Sequence, residues 1–297
     1  MSARALFGAI EAGGTKFVCA AGYSPLEIAE PWRRVIPTST PAATLAAVVE
    51  FFEHVRQSAG PITGMGMAAF GPLDIDPRSA SWGSILSTPK PGWSGVSLVA
   101  PLQRFECPVA LDTDVNAAAL AEMRFGAAAD VDALVYVTVG TGIGGGAVVG
   151  GRTLSGMLHP EMGHIRVRRH AEDRTFPGIC PFHGDCLEGL ASGPAIRARW
   201  GEKLAALPDA HRGIEIIGDY LGQLAATVAL VLSTRRIVFG GGVMSERLLP
   251  HIRRAAEREL GGYLPITARA GGFDRLIVAP ALGEQAGITG AMLLAAG

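Results

Sequence analysis

A strand, a glycine turn and a second strand follow one another twice in this chain, and this repeat constrains the fold more than any other feature. The first copy is predicted at Leu6 to Ala12 and Phe17 to Gly22, around Gly13-Gly14-Thr15. The second is predicted at Leu134 to Val139 and Gly146 to Val149, around Gly140-Thr141-Gly142. The repeat indicates two lobes of related design. Because 297 residues exceed what one compact core usually holds, we expect a cleft between the lobes.

The rest of the chain alternates between strand and helix patterns. Further strands are predicted at Gly64 to Ala69, Val109 to Leu111, Arg236 to Phe239 and Leu276 to Ala279. Helices are predicted at Thr44 to Arg56, from near Asp114, and at Ala195 to Arg199, Ile214 to Ser233, Glu246 to Leu260 and Glu284 to Leu294. The segment Pro72 to Trp93 is rich in Pro, Gly, Ser and Asp and is predicted to be an irregular loop that lines the cleft. This alternation predicts an α/β fold.

The charge and the apolar runs exclude several classes of protein. A net charge of −1 gives neither the basic face that nucleic acid requires nor an acidic tail. The start of the chain reads as a first strand followed by Glu11, not as a signal peptide. The longest uncharged apolar run, Leu221 to Thr234, is shorter than the roughly 20 residues that cross a bilayer. We therefore expect a cytoplasmic protein with no nucleic-acid or membrane partner, in which Cys19 and Cys107 are buried thiols.

A glycine-rich loop carries four soft metal donors. Cys180, His183 and Cys186 have the spacing C-x2-H-x2-C, which lets three side chains reach one tetrahedral ion, and either His164 or His159 can be the fourth ligand. Nitrogen and sulfur donors favour Zn²⁺, and four protein ligands indicate a structural site. The alternatives are free thiols beside unrelated histidines, or a disulfide, which fits a protein without secretion signals less well.

Three glycine clusters are candidate phosphate or nucleotide sites. Gly13-Gly14-Thr15-Lys16 can present backbone amides and side-chain donors to an anion, although a hairpin without a ligand explains it equally well. Gly140-x-Gly142-x-x-Gly145 matches the dinucleotide fingerprint, but a strand follows where that motif needs a helix, so a phosphate-binding hairpin is favoured over NAD. Gly240-Gly241-Gly242 can leave room for adenine or can be an ordinary turn.

Asp114 precedes an alanine-rich helical pattern in Asp112-Thr113-Asp114-Val115-Asn116-Ala117. Because Asp is a preferred N-cap residue, helix capping is the simplest interpretation of Asp114 when it is taken alone. The order of the motifs in the chain favours a functional role for Asp114 over helix capping. The glycine turn, the Asp-x-Asn-Ala segment, Gly140-Thr141-Gly142, the Glu161-x-Gly163-His164 turn and the cysteine loop all occur in one chain.

With these motifs in this order, the chain resembles the ROK family of sugar kinases over essentially its whole length. The likeness is greatest to the bacterial fructokinase branch, through Gly8 to Lys16, Phe70-Gly71-Pro72, His159-Pro160-Glu161-Met162-Gly163-His164 and Cys180 to Gly189. His183, where many relatives have a third cysteine, points to the same branch. The resemblance implies a two-lobed actin-like, hexokinase-like (ribonuclease H-like) ATPase fold with an inserted zinc-binding loop. It also implies a homodimer.

The resemblance also implies a role for each matching residue. Asp114 would be the general base in transfer of the γ-phosphoryl group of ATP to the 6-hydroxyl of D-fructose, and Glu11 would act near Mg²⁺ and the phosphates. Sugar-binding candidates are Glu161, His164, Glu188 and Asn116. Nucleotide-binding candidates are Gly13, Gly14, Thr15, Lys16, Thr141, Gly142, Pro194, Gly241 and Gly242. The zinc ligands would be His164, Cys180, His183 and Cys186, with the second ring nitrogen of His164 facing the sugar.

The predicted N-terminal lobe is 1–112, with the helix at 284–297 packing back on it, and the C-terminal lobe is 113–283 with the zinc loop at 159–189. The runner-up function is phosphorylation of glucose, mannose or an N-acetylhexosamine by ATP. A sugar-sensing transcriptional regulator is a third possibility. Such a regulator carries a DNA-binding segment ahead of the first strand, for which the predicted start of that strand leaves no room, and the charge argues the same way.

Overall fold

A computed structural model of the chain describes residues 4–297, which form two compact units. Unit 1 consists of the chain up to Ala121 together with Leu154–His159 and Glu284–Gly297. Unit 2 consists of Glu122–Thr153 and Pro160–Gly283. The division therefore falls after Ala121, whereas the sequence predicted a boundary at 112. The C-terminal helix belongs to unit 1.

Unit 1 is built around a mixed five-stranded sheet. Its elements are β1 (Leu6–Ala12), β2 (Lys16–Ser24), β3 (Glu27–Pro37), α1 (Pro41–Ala59), β4 (Ile62–Ala69), β5 (Val109–Thr113), α2 (Asp114–Phe125, which crosses the boundary) and α9 (Ala286–Ala296). The strand order is β3-β2-β1-β4-β5. β1 pairs antiparallel with β2 and parallel with β4, which in turn pairs parallel with β5. The carboxyl ends of β1, β4 and β5 therefore lie at one edge of the sheet, where the glycine turn and Asp114 follow.

The two faces of this sheet are covered by different layers. On one face α1 contributes Leu45, Val48, Phe52 and Val55, which recur at helical spacing and are buried. Thr40 caps this helix by accepting a hydrogen bond from the amide of Ala43 (3.4 Å). On the other face α9 packs against β1 and β4. Alternate residues of β4 are small there, because a methyl group at Gly66 would overlap the α9 backbone at Ala291.

Unit 2 repeats the strand arrangement of unit 1. Its elements are β6 (Ala133–Val139), β7 (Ile143–Val149), β8 (Arg152–Thr153), α3 (Leu187–Ala191), α4 (Gly193–Trp200), α5 (Arg212–Leu232), β9 (Arg236–Gly240), α6 (Leu249–Leu260), α7 (Ile266–Ala270), α8 (Phe273–Leu276) and β10 (Ile277–Val278). The strand order is β8-β7-β6-β9-β10. Two antiparallel pairs and then two parallel pairs occur in the same sequence as in unit 1. The duplication expected from the repeated glycine hairpin is therefore present in the topology.

The apolar run around Leu221 lies within α5, a core helix of unit 2. By length and composition α5 could cross a membrane, but 72% of its most apolar window is buried inside the protein. Gly222 lets α5 approach α6 closely, since a side-chain carbon there would stand 2.8 Å from the carbonyl oxygen of Ile252. The burial of this helix is explained by packing on α6.

The strands and helices predicted from the sequence are all present, with ends that differ by a few residues, and 72–93 is irregular as expected. The elements that were not predicted from the sequence are β3, the two-residue strand β8 and three short helices, α3, α7 and α8. The failure to predict β3 has a physical explanation. It is an edge strand that contains Pro31 and several charged residues and leaves Val35 56% exposed, so it has no alternating apolar face.

Candidate active site and candidate metal centre

The turn between β1 and β2 is a tight glycine hairpin. The amide of Gly13 donates to the carbonyl of Lys16 (2.9 Å), and a side-chain carbon on Gly13 would stand 2.8 Å from that oxygen. Thr38 braces the turn from the end of β3, because its hydroxyl donates to the Gly13 carbonyl (2.8 Å) and its amide donates to the Thr15 carbonyl (2.9 Å). Gly14, Thr15 and Lys16 are exposed. The turn thus presents amides, a hydroxyl and an ammonium group to solvent, as an anion site requires.

Asp114 is the first residue of α2, at the carboxyl end of β5. The helix cap is Thr113, whose hydroxyl accepts a hydrogen bond from the amide of Asn116 (3.2 Å). The Asp114 carboxylate accepts one from the amide of Val115 (2.9 Å). The simple capping interpretation of Asp114 is therefore wrong by one residue. Because Thr113 caps the helix, capping does not explain why position 114 carries a carboxylate.

Asn116 lies deeper than the sequence analysis expected for a sugar contact. It is fully buried, and its amide group donates to the buried carboxylate of Asp112 (2.7 Å), which also accepts from the amide of Thr113 (2.7 Å). This geometry gives Asn116 the role of fixing the junction between β5 and α2. It therefore orients the start of the helix that carries Asp114.

Glu11 faces the same edge of the sheet from the end of β1. Burial, and then the negative charge of Asp114, raise the pKa of Glu11 to about 7, against a partial opposing effect of Lys16 and Arg33. Gly287 at the start of α9 permits this position, since any side chain there would overlap the Glu11 carboxylate. Two carboxylates and the cationic groups of Lys16 and Arg33 are thus electrostatically coupled within unit 1. A raised pKa in such a cluster is typical of functional sites.

The second glycine hairpin, between β6 and β7, is held by Glu188. The amide of Ile143 donates to one carboxylate oxygen of Glu188 (2.9 Å), and a side-chain carbon on Gly142 would stand 2.6 Å from the same oxygen. The other carboxylate oxygen lies 3.9 Å from Nε2 of His164. Glu188 therefore connects the hairpin to His164. Thr141 in this hairpin is exposed.

The predicted metal ligands converge because two short backbone links bring them together. Cys180 and Gly184 exchange hydrogen bonds (3.0 and 2.8 Å) in a turn that places His183 beside Cys180. The amide of Leu187 donates to the Ile165 carbonyl (2.9 Å), which places Cys186 beside His164. One donor atom from each of His164, Cys180, His183 and Cys186 lies within 4.8 Å of all the others. His164 is thus the fourth member of the cluster.

The spacing within this cluster fits a tetrahedral ion. Zn–N bonds of about 2.05 Å and Zn–S bonds of about 2.3 Å imply N···N near 3.3 Å and N···S near 3.6 Å at the tetrahedral angle. The two histidine Nδ1 atoms are 3.3 Å apart. Sγ of Cys180 lies 3.7 Å from Nδ1 of either histidine, and Sγ of Cys186 lies 3.6 Å from Nδ1 of His164. The sulfur atoms are neither bonded to each other nor far apart, so the disulfide alternative is wrong.

His159, the other candidate for the fourth ligand, has a different place. Its Nε2 accepts a hydrogen bond from the amide of Leu73 (3.1 Å), and its ring packs on Gly71, where a side-chain carbon would stand 3.0 Å away. His159 is 8% exposed and belongs to unit 1. It therefore supports the start of the irregular loop rather than the metal cluster.

The third glycine cluster follows β9. Gly241 has φ +94°, and a side-chain carbon there would stand 2.5 Å from the carbonyl oxygen of Val139, so only glycine fits. By contrast, apart from Gly242 and its two chain neighbours, no atom of residues 4–297 lies within 4 Å of the corresponding point on Gly242. Pro194, in the first turn of α4, adjoins the second hairpin because the amide of Gly193 donates to the Gly140 carbonyl (2.8 Å). Gly140, Gly193 and Gly241 are thus packed around the carboxyl end of β6.

Two residues without a predicted role, Glu122 and Lys90, have prominent contacts in the structure. Glu122 is completely buried and accepts hydrogen bonds from the amides of Ala127 (2.7 Å), Ala281 (3.1 Å) and Leu282 (2.9 Å). Lys90 donates from its ammonium group to the Gly14 carbonyl of the first hairpin. The position of Glu122 in an alanine-rich helix was the sequence signal for its buried role. The rarity of lysine in this chain was the sequence signal for Lys90.

Comparison with known proteins agrees with this geometry. Residues 7–297 match the model of the ROK family. The chain is 45% identical to a fructokinase from Zymomonas mobilis, over 98% of this chain and 96% of that protein. It resembles the crystal structure of a ROK hexokinase from Thermus thermophilus (TM-score 0.78, 28% identity, 98% of both chains). It also resembles a ROK glucokinase from Streptomyces griseus in complex with glucose and AMPPNP (TM-score 0.75, 25% identity, 98% and 99% of the two chains).

Proposed function

Because the chain belongs to the ROK family, we propose that it is an ATP-dependent fructokinase, which transfers the γ-phosphoryl group of ATP to the 6-hydroxyl of D-fructose. The observation that carries the proposal is Asp114 at the carboxyl end of β5, on the same edge of the sheet as a glycine hairpin that offers amides and an ammonium group to phosphate. The full-length similarity to fructokinases supports fructose as the acceptor. Glucose, mannose and N-acetylhexosamines are the alternative acceptors.

Asp114 is the proposed general base. A sugar hydroxyl is a poor nucleophile unless a base accepts its proton. A positioned carboxylate that accepts this proton increases the rate by about 10² to 10⁴. Thr113 caps the helix, and Asn116 and Asp112 fix the junction before it, so the Asp114 carboxylate starts from an ordered backbone. The remainder of the rate enhancement comes from positioning and neutralising the phosphates.

The nucleotide contacts are proposed for the glycine clusters. Gly13, Gly14, Thr15 and Lys16 supply amides, a hydroxyl and a positive charge for the phosphates. Thr141 and Gly142 supply a hydroxyl and amides from the second hairpin. Pro194, Gly241 and Gly242 form the surroundings of the adenine base of ATP. Glu11 is the proposed carboxylate for Mg²⁺, which would neutralise phosphate charge when bound. Ionisation of Glu11 prepares this site, because only the carboxylate form binds a cation.

The sugar contacts in unit 2 are proposed for Glu161, His164 and Glu188. Zn²⁺ is the proposed occupant of the cluster of His164, Cys180, His183 and Cys186, whose spacing fits a tetrahedral ion. Burial raises the pKa of the Cys186 thiol to about 11, so a bound cation is what would keep this sulfur ionised at neutral pH. With Nδ1 in the metal cluster, Nε2 of His164 remains directed at Glu188, which fixes both side chains for sugar recognition.

The test is a coupled assay of ADP release with Mg²⁺·ATP and a panel of hexoses. Fructose is expected to give the highest kcat/KM. Robust turnover of glucose or an N-acetylhexosamine without turnover of fructose would refute the fructose assignment while leaving the kinase assignment intact. Light scattering of the purified protein tests the homodimer that the family resemblance implies.

A further inference from the structure

Lysine is rare in this chain, and its distribution is uneven. Of the 26 lysines and arginines only three are lysines, namely Lys16, Lys90 and Lys203. Arginine thus serves as the usual surface cation here, so the remaining lysines stand out. Lysine differs from arginine in being a compact, strongly hydrated point charge on a flexible stem. Two of the three meet at one place, because Lys16 belongs to the first glycine hairpin and Lys90 donates to the Gly14 carbonyl of that hairpin.

The backbone around Lys90 is anchored although the side chain is not enclosed. Three residues later, Trp93 is fully buried, with its ring 5.7 Å from both Phe17 and Phe70. The Trp93 indole N–H donates to the Ser39 carbonyl (3.1 Å), and its amide donates to the Lys90 carbonyl (3.2 Å). Since Phe17 directly follows Lys16, Trp93 ties the irregular loop to the base of the hairpin. The Lys90 side chain itself is half-buried.

The present partner of Lys90 is an uncharged one. A carbonyl oxygen accepts a hydrogen bond that is charge-assisted only by the ammonium donor, whereas a phosphate oxygen would add direct attraction between opposite charges. Apart from Gly14 and its two chain neighbours, no atom of residues 4–297 lies within 4 Å of the point where a side-chain carbon of Gly14 would stand, so the hairpin has open space beside this contact. A polyphosphate bound to the hairpin amides would therefore place a better acceptor within reach of Lys90.

We propose that Lys90 is a further phosphate-binding residue of this kinase, whose ammonium group transfers from the Gly14 carbonyl to the phosphate chain of ATP. The proposal rests on the proposed kinase function. It gives the irregular loop a defined task, because a lysine on that loop then senses whether the hairpin holds a nucleotide. No bond is formed or broken in this step, and the released Gly14 carbonyl faces water.

Substitution provides the first test. Lys90→Met is expected to lower kcat/KM for ATP by about 10- to 100-fold, the size typical of a hydrogen bond to a charged group, while the KM for the sugar stays within about 2-fold. Lys90→Arg keeps the charge and should recover part of the loss. Lys203→Met removes an exposed lysine of unit 2 and should behave as wild type. Unchanged kinetics of Lys90→Met would overturn the proposal.

Chemical labelling provides the second test and does not depend on turnover. Acetylation by an N-hydroxysuccinimide ester, followed by mass spectrometry, measures the reactivity of each of the three lysines with and without Mg²⁺·AMPPNP. Protection of Lys16 and Lys90 with constant labelling of Lys203 is the expected result. Protection of Lys16 alone would overturn the role of Lys90. Protection of neither lysine would instead contradict nucleotide binding at this hairpin, and with it the proposed function.

Discussion

Replacement of Glu11 by glutamine should stabilise the protein at alkaline pH but much less at acid pH. Burial and the charge of Asp114 raise the pKa of Glu11 from 4.5 to about 7 in the folded protein. The folded state therefore holds this proton over a pH range in which the unfolded chain has already lost it. Consequently the contribution of Glu11 to the free energy of unfolding falls as the pH rises from about 4.5 to 7. Above pH 7 this contribution stays at its low value.

The magnitude follows from the two pKa values. A shift of about 2.5 units at roughly 1.4 kcal/mol per unit gives a penalty of about 3 kcal/mol at pH 8, where the folded protein must carry the charge. At pH 5 the same linkage gives only about 1 kcal/mol, because the side chain keeps its proton. Glutamine has no such dependence. The stability difference between Glu11→Gln and wild type should therefore grow by about 2 kcal/mol from pH 5 to pH 8.

Urea denaturation at pH 5, 6, 7 and 8 without added Mg²⁺ measures this difference, and any constant effect of the amide group cancels between pH values. Glu30→Gln changes an exposed carboxylate on β3 and is the matched control, expected to show no comparable trend. Asp114→Asn removes the second cause of the raised pKa, so the pH-dependent gain from Glu11→Gln should shrink in that background. A difference between Glu11→Gln and wild type that is the same at pH 5 and pH 8 would refute the reasoning.

Three further predictions concern other parts of the protein. Asp114→Asn should reduce kcat by about 10² or more in a protein that stays folded, because Thr113 still caps the helix; an active variant would contradict its role as base. Cys180→Ser should lose bound zinc in elemental analysis, whereas Cys107→Ser, outside the cluster, should keep it; equal zinc in both would count against the ligand set. Glu122→Gln should lower the free energy of unfolding by about 3 kcal/mol in urea, since an amide cannot accept from three backbone N–H groups as a carboxylate does.

Sequence patterns of short range predicted a large part of the fold and of the candidate site. The repeated hairpin predicted the shared strand order of the two units, because each strand and turn is specified by adjacent residues. The C-x2-H-x2-C spacing likewise placed three donors in one turn. β3 was not predicted because an edge strand needs no apolar alternation. The sequence left the fourth metal ligand open between His159 and His164, because the backbone hydrogen bond from Leu187 to Ile165 that brings His164 to the cluster is not visible in a local pattern.

The residues that the sequence could not assign are those whose partners are distant in the chain. Lys90 contacts a residue 76 positions away, and Glu122 contacts one 160 positions away. No local pattern specifies such a partner. From the sequence alone, a lone lysine in a loop and a glutamate in a helix are therefore interpreted as solvent-exposed charges. Composition is the remaining clue in such cases. In a chain that uses arginine almost everywhere, a lysine that the fold places at the proposed phosphate-binding turn is best explained by a requirement for its point charge.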